Sequence, residues 1–404
     1  MPKKLIFLSL IRIDNLNERG IYHDLLREFA NNGYNVTVVC PVERSTNIST
    51  RIIKSSKVTI LQVKTLNIQK CNVFEKGLST LSLNFLFKRA IRKYIIDVKF
   101  DIILYSTPPV TLTNLISWLK FKNDAKTYLL LKDIFPQNAV DLGYFRVGSL
   151  LHRYFSMVEK KLYRISDKIG CMSPANVDYL AQRFPEFFNK LELNPNSVDL
   201  TRIPVIKETK EQIRSRWNIP HEATVFLYGG NLGKPQGVEF LLEIIKACKN
   251  EEPNAYFLIV GDGTDYEKLC DWFKLNRPSN AQLIKKMPKN EFDSLAFSCD
   301  VGLILLRKEF TIPNFPSRLI TYLENKLPVL AMTDIISDIG IIAEKNEFGK
   351  WVLFGDLTEV IKEISYFNRK TIHRQKLGKS GFEFLHKNFN SFNSFQLINQ
   401  FFVC

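Results

Sequence analysis

The chain has 404 residues, of which 45% are hydrophobic and 24% are charged. At roughly 100 to 200 residues per domain, this length predicts two folded domains, and the composition excludes a disulfide-stapled miniprotein and a mainly disordered chain. The seven cysteines are scattered, without a Cys-x-x-Cys pair, which favours a reducing cytoplasmic compartment. No run of about 18 apolar residues occurs, so any membrane contact is expected to be peripheral.

The formal net charge is +15, from 56 Lys and Arg against 41 Asp and Glu. Residues 1–200 hold 29 basic and 17 acidic side chains, so most of the excess lies in the first half. Such a surface attracts nucleic acid, anionic lipid headgroups or phosphorylated substrates. The basic residues are not interleaved with aromatic ones as in a nucleic-acid-binding module, which argues against a nucleic acid partner.

Short apolar strands alternate with amphipathic helices from the beginning of the chain. Lys4–Leu10 is predicted as a strand, Gly20–Asn32 as a helix and Val36–Cys40 as a second strand. Further strands are predicted at Val58–Val63, Ile102–Tyr105, Thr127–Leu131 and Lys168–Met172. This alternation predicts a parallel sheet that is covered by helices on both faces.

A segment rich in Asn and Pro, Asn194–Pro204, marks a domain boundary. After it the alternation restarts, with strands predicted at Thr224–Tyr228, Ala255–Val260, Gln282–Ile284, Val301–Leu306 and Val329–Ala331. We therefore predict an α/β protein with two Rossmann-like, doubly wound domains, residues 1–203 and 204–375, that face a cleft. In such sheets ligands bind outside the carboxyl ends of the strands.

A glycine-rich turn, Tyr228-Gly-Gly-Asn-Leu-Gly-Lys-Pro-Gln-Gly237, connects a predicted strand to a helix. Its glycines let the backbone approach a ligand closely, the helix start offers free amides, and Lys234 adds a charge, so the turn suits a phosphate. The spacing is not that of a P-loop. The alternative is a tight connection without a ligand, and Gly261-Asp-Gly263 after the next strand allows the same two interpretations.

A third segment, from Asn314 to Leu330, carries polar residues at both ends of one predicted helix. Ser317 is a candidate N-cap, so the helix would direct unpaired amides at a ligand, and Arg318 would neutralise phosphate charge beside them. Glu324 lies seven residues after Ser317, near the same helix face, where a carboxylate suits the two hydroxyls of a ribose. The alternative for Glu324 is a solvated side chain.

In their order and intervals, these motifs resemble those of the retaining glycosyltransferases of family 4, which have the two-domain GT-B fold. The motifs are Gly-Gly-Asn-Leu-Gly with Gln-Gly-Val, Val260-Gly-Asp-Gly263, Asp300-Val-Gly-Leu, and Pro316-Ser-Arg-Leu followed by Tyr-Leu-Glu and Leu-Pro-Val-Leu. The resemblance implies that Glu324 holds the ribose of a nucleotide sugar. It also implies that the Gly230 turn and the start of the Ser317 helix hold the diphosphate.

The resemblance implies further site residues and a closing segment. Lys234 and Arg318 would stabilise the leaving diphosphate, and Ile284–Met287 would line the base. The donor-binding residues so implied are Gly20, Gly230, Asn231, Gly233, Gly261, Asp262, Met287, Pro316, Ser317, Leu319 and Glu324. In similar chains the last segment, here residues 376–404 with one helix predicted over Lys376–Val403, crosses back to the first domain.

The sequence also departs from the family pattern. The first of two glutamates that are often seven residues apart is Pro316 here, and Asn231 and Gln236 stand where the family often has Arg and Lys. The double glycine after the first strand is reduced to Arg19-Gly20. These changes leave the identity of the donor sugar open.

In the first half, Asp133 follows a predicted strand and precedes Pro136. Similar family members carry Asp-x-x-Pro here, which implies that Asp133 is a catalytic residue near the acceptor or the transferred sugar. The alternative is a turn residue before the proline. The loop after the first strand is expected to border the same cleft with Arg12, Asp14, Asn15 and Arg19.

The stretch Leu78–Ile96 combines a broad apolar face with four cations, Lys88, Arg89, Arg92 and Lys93. This combination is typical of a helix at an anionic membrane surface, and Trp118–Lys122 is expected to extend that surface. The alternative is a helix that packs within the domain and has a solvated basic side.

We therefore expect a cytoplasmic glycosyltransferase, peripheral at the inner membrane face. Its donor is expected to be a UDP-linked, N-acetylhexosamine-like sugar, and its acceptor a lipid-linked or glycan molecule of surface polysaccharide synthesis, such as lipopolysaccharide O-antigen or capsule. The five histidines form no ligand-like group, so neither a metal nor another cofactor is expected. A UDP-sugar epimerase of the same fold and a non-catalytic nucleotide-binding module remain as alternatives.

Overall fold

The computed structural model describes residues 2–67 and 73–403 of the chain. By its internal contacts the chain divides into two compact units. The N-terminal unit contains the residues up to Asp199 together with those from Asn390 onward, and the C-terminal unit contains Leu200–Phe389. The division therefore falls after Asp199, whereas the sequence predicted a boundary after residue 203.

The N-terminal unit is built on an eight-stranded sheet with the order β3-β4-β2-β1-β5-β6-β7-β8. The strands are β1 (Lys4–Leu8), β2 (Asn35–Glu43), β3 (Arg51–Ser55), β4 (Val58–Thr65), β5 (Ile102–Ser106), β6 (Lys126–Leu131), β7 (Lys168–Cys171) and β8 (Leu191–Leu193). All neighbours are parallel except the β3–β4 hairpin. The parallel sheet is thus confirmed, while the hairpin strand β3 and the short edge strand β8 were not predicted.

Helices pack on both faces of this sheet. They are α1 (Ile21–Asn31), α2 (Val73–Tyr94), α3 (Thr113–Asn123), α4 (Gln137–Asp141), α5 (Leu150–Ile165) and α6 (Pro174–Arg183). Helix α1 buries Leu25, Leu26 and Phe29, whose three- and four-residue spacing places them on one face, in a core with Phe7 of β1 and Val36 of β2.

The C-terminal unit has a six-stranded, fully parallel sheet with the order β11-β10-β9-β12-β13-β14. Its strands are β9 (Thr224–Asn231), β10 (Ala255–Asp262), β11 (Ala281–Lys285), β12 (Val301–Leu305), β13 (Val329–Thr333) and β14 (Gly349–Leu353). The chain runs outward from β9 to β11 and then returns to β12 beside β9. The carboxyl ends of β9 and β12 therefore form the topological switch point, where doubly wound sheets bind ligands.

The helices of the C-terminal unit are α7 (Lys210–Arg216), α8 (Val238–Glu251), α9 (Tyr266–Asn276), α10 (Lys289–Phe297), α11 (Arg318–Glu324), α12 (Ile339–Lys345), α13 (Leu357–Arg369) and α14 (Thr371–Asn388). An ion pair joins α7 to the sheet, because Arg214 Nη2 lies 2.6 Å from Asp300 Oδ2, just before β12. The same carboxylate accepts a hydrogen bond from the Val225 amide of β9 over 2.9 Å. Asp300 of the predicted motif is thus a structural residue.

The end of the chain contains two helices instead of the single helix predicted over Lys376–Val403. Helix α14 ends at Asn388 in the C-terminal unit, and α15 (Ser391–Val403) belongs to the N-terminal unit. The return to the N-terminal unit therefore begins at Asn390 rather than at residue 376. Polar residues at 388, 390 and 391 interrupt the apolar pattern between the two helices, and this was the signal that the prediction passed over.

Candidate functional site

The carboxyl ends of β9 and β10, and the turns that follow them, lie backbone to backbone beside the switch point. Gly230 and Gly261 are register partners, and a Cβ atom on Gly261 would lie 2.0 Å from the Gly230 carbonyl oxygen. The Leu232 amide donates to the Asp262 carbonyl over 3.0 Å. A Cβ atom on Gly263 would lie 2.2 Å from the Leu232 carbonyl oxygen. The close approach of two chain segments therefore requires glycine at 261 and 263.

At the end of β9 and in the turn after it, the predicted donor residues Gly230 and Asn231 and the predicted catalytic residue Lys234 are exposed, whereas the predicted donor residue Gly233 is buried. Gly230 has a φ of 126°, a conformation that favours glycine. Asn231 Nδ2 donates to Gln236 Oε1 over 2.9 Å. The two positions where the family often has Arg and Lys are thus joined to each other by a neutral hydrogen bond.

Arg318 lies beside the Gly230 turn and is held there by an aromatic ring. Its guanidinium lies over the Tyr228 ring, 4.5 Å from the centroid, and 3.8 Å from where a Cβ atom on Gly230 would be. Within the described part of the chain, its buried Nη1 atom has no hydrogen-bond partner. A buried guanidinium nitrogen without an acceptor is costly, so this atom is poised for an anionic ligand.

Ser317 precedes α11 but does not cap it, which corrects the prediction. Its backbone has helical φ and ψ, its side chain makes no capping hydrogen bond, and the residue is exposed. The Leu319 side chain is fully buried, and its amide donates to the Pro316 carbonyl over 3.2 Å. An N-cap serine needs an extended backbone to reach the helix amides, and the helical backbone here prevents that.

Glu324 ends α11 and its side chain is only 3% exposed. Its Oε2 lies 4.0 Å from Lys289 Nζ, and the same ammonium group contacts Asp293. Lys289 opens α10 directly after Met287 and Pro288, and Met287 is half-buried. The predicted base-lining segment and the predicted ribose carboxylate therefore lie on neighbouring elements.

In the N-terminal unit, Asp133 lies directly beyond β6 and Lys132 and is half-buried. Asn138 Nδ2 donates to its carboxylate over 2.7 Å, and Thr107 Oγ1 donates to its carbonyl over 3.1 Å. Burial raises the pKa of Asp133 to about 6. The Asp133 carboxyl group is therefore able to change its protonation state near neutral pH.

The loop between β1 and α1 is held by its own polar side chains. Arg12 Nε and Nη2 donate to Asp14 Oδ1 over 3.0 and 2.8 Å, and Gln62 Nε2 donates to the same oxygen over 2.7 Å. Partial burial alone would raise the pKa of Asp14, but the hydrogen bonds from Gln62 and Arg12 hold it below its usual value. Asn15 Oδ1 accepts two backbone amides of the same loop. Arg12, Asp14 and Asn15 therefore shape this loop.

Arg19 and Gly20 stand at the end of this loop, and both are half-buried. Gly20 has an extended backbone and precedes α1, and its amide donates to Asp24 Oδ1 over 3.3 Å. Arg27 Nη2 lies 2.5 Å from the same oxygen. The fully buried Asp24 thus anchors the start of α1, and the sequence analysis did not predict this anchor.

Helix α2 presents two different apolar faces. Leu83, Phe87 and Ile91 are buried, whereas Leu81 and Phe85 are 52% and 65% exposed. The side chain of Leu78, with which the predicted stretch began, lies outside the described residues. One side of α2 therefore packs within the N-terminal unit, and the other side is exposed to solvent. The membrane-surface interpretation and the domain-packing interpretation of this helix are thus compatible.

Three cations surround the Trp118 ring of α3. Lys88 Nζ and Arg92 Cζ lie 5.2 Å from its centroid, and Lys122 Nζ lies 5.4 Å away. Arg89 and Lys93 are exposed on the same helix as Lys88. The structure thus brings the α2 cations and the Trp118–Lys122 segment together. No helix among the described residues has both the length and the hydropathy to cross a bilayer.

Two family models match the chain, Glycosyltransferase Family 4 over residues 21–202 and Glycosyl transferases group 1 over residues 209–384. The chain belongs to the family 4-like glycosyltransferases. The family resemblance of its motifs is thereby confirmed. This glycosyltransferase is 23% identical over 342 residues to a protein of Pseudomonas aeruginosa described as "Probable glycosyltransferase WbjE", a match that covers 83% of this chain and 82% of that protein.

Solved structures confirm the GT-B fold of this glycosyltransferase. Sucrose-phosphate synthase from Thermosynechococcus elongatus has a TM-score of 0.76 at 16% identity, and the match covers 99% of this chain and 98% of that one. Anabaena HepE in complex with UDP and glucose has a TM-score of 0.71 at 12% identity, with 98% of each chain covered. At such identities the likeness concerns the fold alone.

The structure adds three side chains that the sequence analysis missed around the sites of this glycosyltransferase. The Tyr228 ring carries Arg318, and Lys289 faces Glu324. Lys132 lines a small pocket at the carboxyl edge of the N-terminal sheet, and burial lowers the pKa of its amine to about 7. Lys132 directly follows the apolar residues of β6, but its position in the sequence alone does not reveal that its amine is buried. Among the described residues, no three His, Cys, Asp or Glu side chains form a group that could hold a metal ion.

Proposed function

We propose that this glycosyltransferase transfers an N-acetylhexosamine-like sugar from a UDP-linked donor, with retention of configuration, to a lipid-linked or glycan acceptor of surface polysaccharide synthesis. One observation carries the proposal. Arg318 is stacked on Tyr228 beside Gly230 and keeps a buried Nη1 without an acceptor among the described residues, at the switch point of the sheet. A diphosphate would supply that acceptor, and the UDP bound in the similarly folded HepE supports the choice of base.

The chemistry requires stabilisation of the charge that develops on the leaving diphosphate. Arg318 is already oriented by its stacking, and Lys234 is exposed on the neighbouring turn. Fixed donors of this kind act without reorganisation when the bond breaks, so the mechanism needs no metal ion. Glu324 would accept the ribose hydroxyls, and Asp133 would contact the transferred sugar or the acceptor.

Calorimetric titration with UDP, GDP and ADP, without divalent metal, tests the donor proposal. We expect selective binding of UDP. We expect the Glu324→Ala variant to lose this binding, because it lacks the carboxylate that would accept hydrogen bonds from the ribose hydroxyls. Glu267→Ala, which changes an exposed glutamate on α9 of the same unit, is the matched control and should bind as the unchanged protein does.

The turnover of Arg318→Ala is the second part of this test. It should fall at least about tenfold, which corresponds to about 1.4 kcal/mol of lost transition-state stabilisation. Failure to bind any of the three nucleotides would contradict the donor proposal. Conversion of a UDP-sugar without any acceptor would identify an epimerase instead.

We extend the proposal to the cell membrane, where a lipid-linked acceptor resides. The cluster of Lys88, Arg92 and Lys122 around Trp118 supports contact with anionic headgroups, and Leu81 and Phe85 lie exposed on the same helix as two of these cations. An apolar side beside cations is the composition of interfacial helices. The protein would then act at the inner membrane face from the cytoplasm.

Flotation with anionic liposomes tests this contact. A variant with Glu in place of all four α2 cations, Lys88, Arg89, Arg92 and Lys93, should remain in the dense fraction. Four positive charges become negative, and each basic residue contributes about 1 kcal/mol of binding free energy near such a surface. The control for net charge replaces four lysines of the C-terminal unit with Glu: Lys246, Lys249, Lys274 and Lys345. Equal flotation of the α2 variant and the unchanged protein would remove α2 from the proposal.

A further inference from the structure

A second apolar surface lies on the N-terminal unit, in the loop before α5 and along the first half of that helix. We call its six side chains the α5 patch. Their exposed fractions are 62% for Tyr144, 69% for Val147, 85% for Leu150, 58% for Leu151, 42% for Tyr154 and 64% for Met157. Of the four helical positions, 151, 154 and 157 are three residues apart and 150 lies four residues before 154, so they lie on one side of α5. Contiguous apolar surface of this kind marks a site of interaction.

The charges around the α5 patch indicate which partner it meets. Arg146 and Arg153 are exposed within the same segment, and the exposed positions of the second half of α5 are Lys160, Lys161 and Arg164. Among the salt bridges of the described residues, Lys160 is the only one of these cations with an acidic partner. Its Nζ lies 2.7 Å from Glu186 Oε1. An apolar first half followed by a cationic second half is complementary to the acyl chains and anionic headgroups of a bilayer.

Beyond the α5 patch, the second half of α5 contacts helix α3, which carries Trp118. Lys161 Nζ of α5 donates to Asn114 Oδ1 of α3 over 2.9 Å, and Trp118 lies one helical turn further along α3. Helices α2, α3 and α5 therefore form neighbouring parts of one side of the N-terminal unit. Helix α3 thus contacts both the helix of the α5 patch and the helix that carries the α2 cations.

Aromatic packing connects the α5 patch to the segment that carries Asp133. The ring of Phe155 on α5 lies 4.9 Å from that of Phe135 and 6.2 Å from that of Phe145. Phe135 and Phe145 lie 6.2 Å apart, and Phe135 follows Asp133 by two residues. The Asp133 segment and the first half of α5 are thus packed together as one apolar cluster.

We infer that the α5 patch inserts into the interface of an anionic bilayer. Insertion there holds the Asp133 segment at the membrane surface, where a lipid-linked acceptor presents its headgroup. The role of the acceptor rests on the proposed function, whereas the insertion of the patch does not. This surface differs from the α2 cations, because apolar insertion rather than charge attraction provides the main part of the binding.

Partitioning onto vesicles of phosphatidylglycerol and phosphatidylcholine tests the inference. In the variant Leu150→Gln, Leu151→Gln and Met157→Gln, the partition coefficient should fall at least about tenfold, since three exposed apolar side chains no longer enter hydrocarbon. The control variant Val205→Gln, Leu275→Gln and Ile372→Gln changes three side chains of the C-terminal unit that are 88%, 84% and 85% exposed. It should partition as the unchanged protein does.

A spectroscopic probe reports insertion directly. Fluorescence of a Leu151→Trp variant should be quenched by brominated lipids beyond the level of the unchanged protein, and that of Leu275→Trp should not. Undiminished partitioning of the Gln variant, or an equal loss in its control, would overturn the inference. So would a change from dimer to monomer in sedimentation without a change in vesicle binding, which would assign the patch to a second copy of the chain.

Calorimetry with UDP separates this inference from the donor proposal. The Gln variant changes only the exposed side chains of Leu150, Leu151 and Met157 in the N-terminal unit, so it should bind UDP normally. Normal UDP binding with lost partitioning supports the inference. Absence of UDP binding in the unchanged protein would contradict the donor proposal and leave the vesicle result valid.

Discussion

At the scale of single residues, Asp133 differs from Asp14 in the direction of its pKa shift. Asp14 is held below its usual pKa by Gln62 and Arg12, whereas burial raises the pKa of Asp133 to about 6. Its side-chain partner is the neutral amide of Asn138, which stabilises the charge less than a cation would. Asp133 is therefore ionised above about pH 6 and protonated below it.

This protonation predicts a pH profile. If the ionised carboxylate assists transfer, kcat/KM of the unchanged protein should decline as pH falls through about 6. In Asp133→Asn the rate at pH 7.5 should fall by a factor of about 10² or more, the usual range for a positioned acid or base, and the decline should disappear. Asp178→Asn, at an exposed position of α6, should retain both. A decline that persists in Asp133→Asn would assign it to another group.

At the scale of elements, the register of β9 and β10 decides the shape of the Gly230 turn. Gly261 faces Gly230 across the pair, and the carbonyl oxygen of Gly230 occupies the space that a side chain at 261 would need. The residues before and after Gly230 are also paired with β10, so the carbonyl oxygen of Gly230 cannot move aside without them. The pairing of β9 with β10 therefore by itself requires a glycine at 261.

Gly261→Ala should destabilise the protein by about 1 to 3 kcal/mol, the usual cost of overpacking, and should weaken UDP binding because the Gly230 turn is displaced. Chemical unfolding and calorimetry measure the two effects. Gly355→Ala is the control, because Gly355 has positive φ but no atom within 4 Å of an added Cβ. It should lose stability through backbone strain and still bind UDP. Retained UDP binding in Gly261→Ala would show that the turn tolerates the displacement.

The sequence predicts some elements better than others, for physical reasons. The central, parallel strands of both sheets are buried on two faces, so their continuous apolar runs are recognisable in the sequence. The glycine turns are recognisable because close backbone contacts admit no other residue. Strand β3, Arg-Ile-Ile-Lys-Ser, lies at an edge and has little buried surface, so it carries no such run. The exposed Ser317 looked like an N-cap because its residue type is right, but type does not fix the backbone conformation.

The sequence predicted the motifs of the candidate site but not the side chains that contact them. Arg318 and Glu324 could be selected from sequence, because their places in the family pattern are fixed. That Arg318 lies on the Tyr228 ring and that Lys289 approaches Glu324 depend on packing between elements far apart in the chain. Likewise, the lowered pKa of Lys132 follows from burial, which one position in a sequence does not reveal.

At the scale of the whole molecule, the N-terminal unit depends on the last helix of the chain. Phe395, Ile398 and Phe402 of α15 belong to the core of that unit. The Phe395 ring packs edge-on against that of Phe29 at 4.9 Å, and Asn399 accepts a hydrogen bond from the Tyr34 hydroxyl. Removal of α15 would therefore expose a side of the core.

Phe395→Ala should lower the free energy of unfolding by about 3 to 5 kcal/mol, because it opens a cavity beside Phe29. Phe392→Ala is the matched control on the same helix, since that side chain is 41% exposed, and it should cost clearly less. Chemical denaturation followed by circular dichroism measures both. Equal losses in the two variants would mean that α15 contributes by its presence rather than by packing of Phe395.

The return of the chain to its first unit also sets an order of events during synthesis on the ribosome. Domains usually acquire their structure as they emerge, the N-terminal one first. Here the first unit lacks a helix of its core until the segment after Asn390 has left the exit tunnel, when all of the second unit has already been made. The nascent protein must therefore keep the apolar surface around Phe29 uncovered through most of its translation, and a ribosome that stops early releases a chain that cannot complete its first unit.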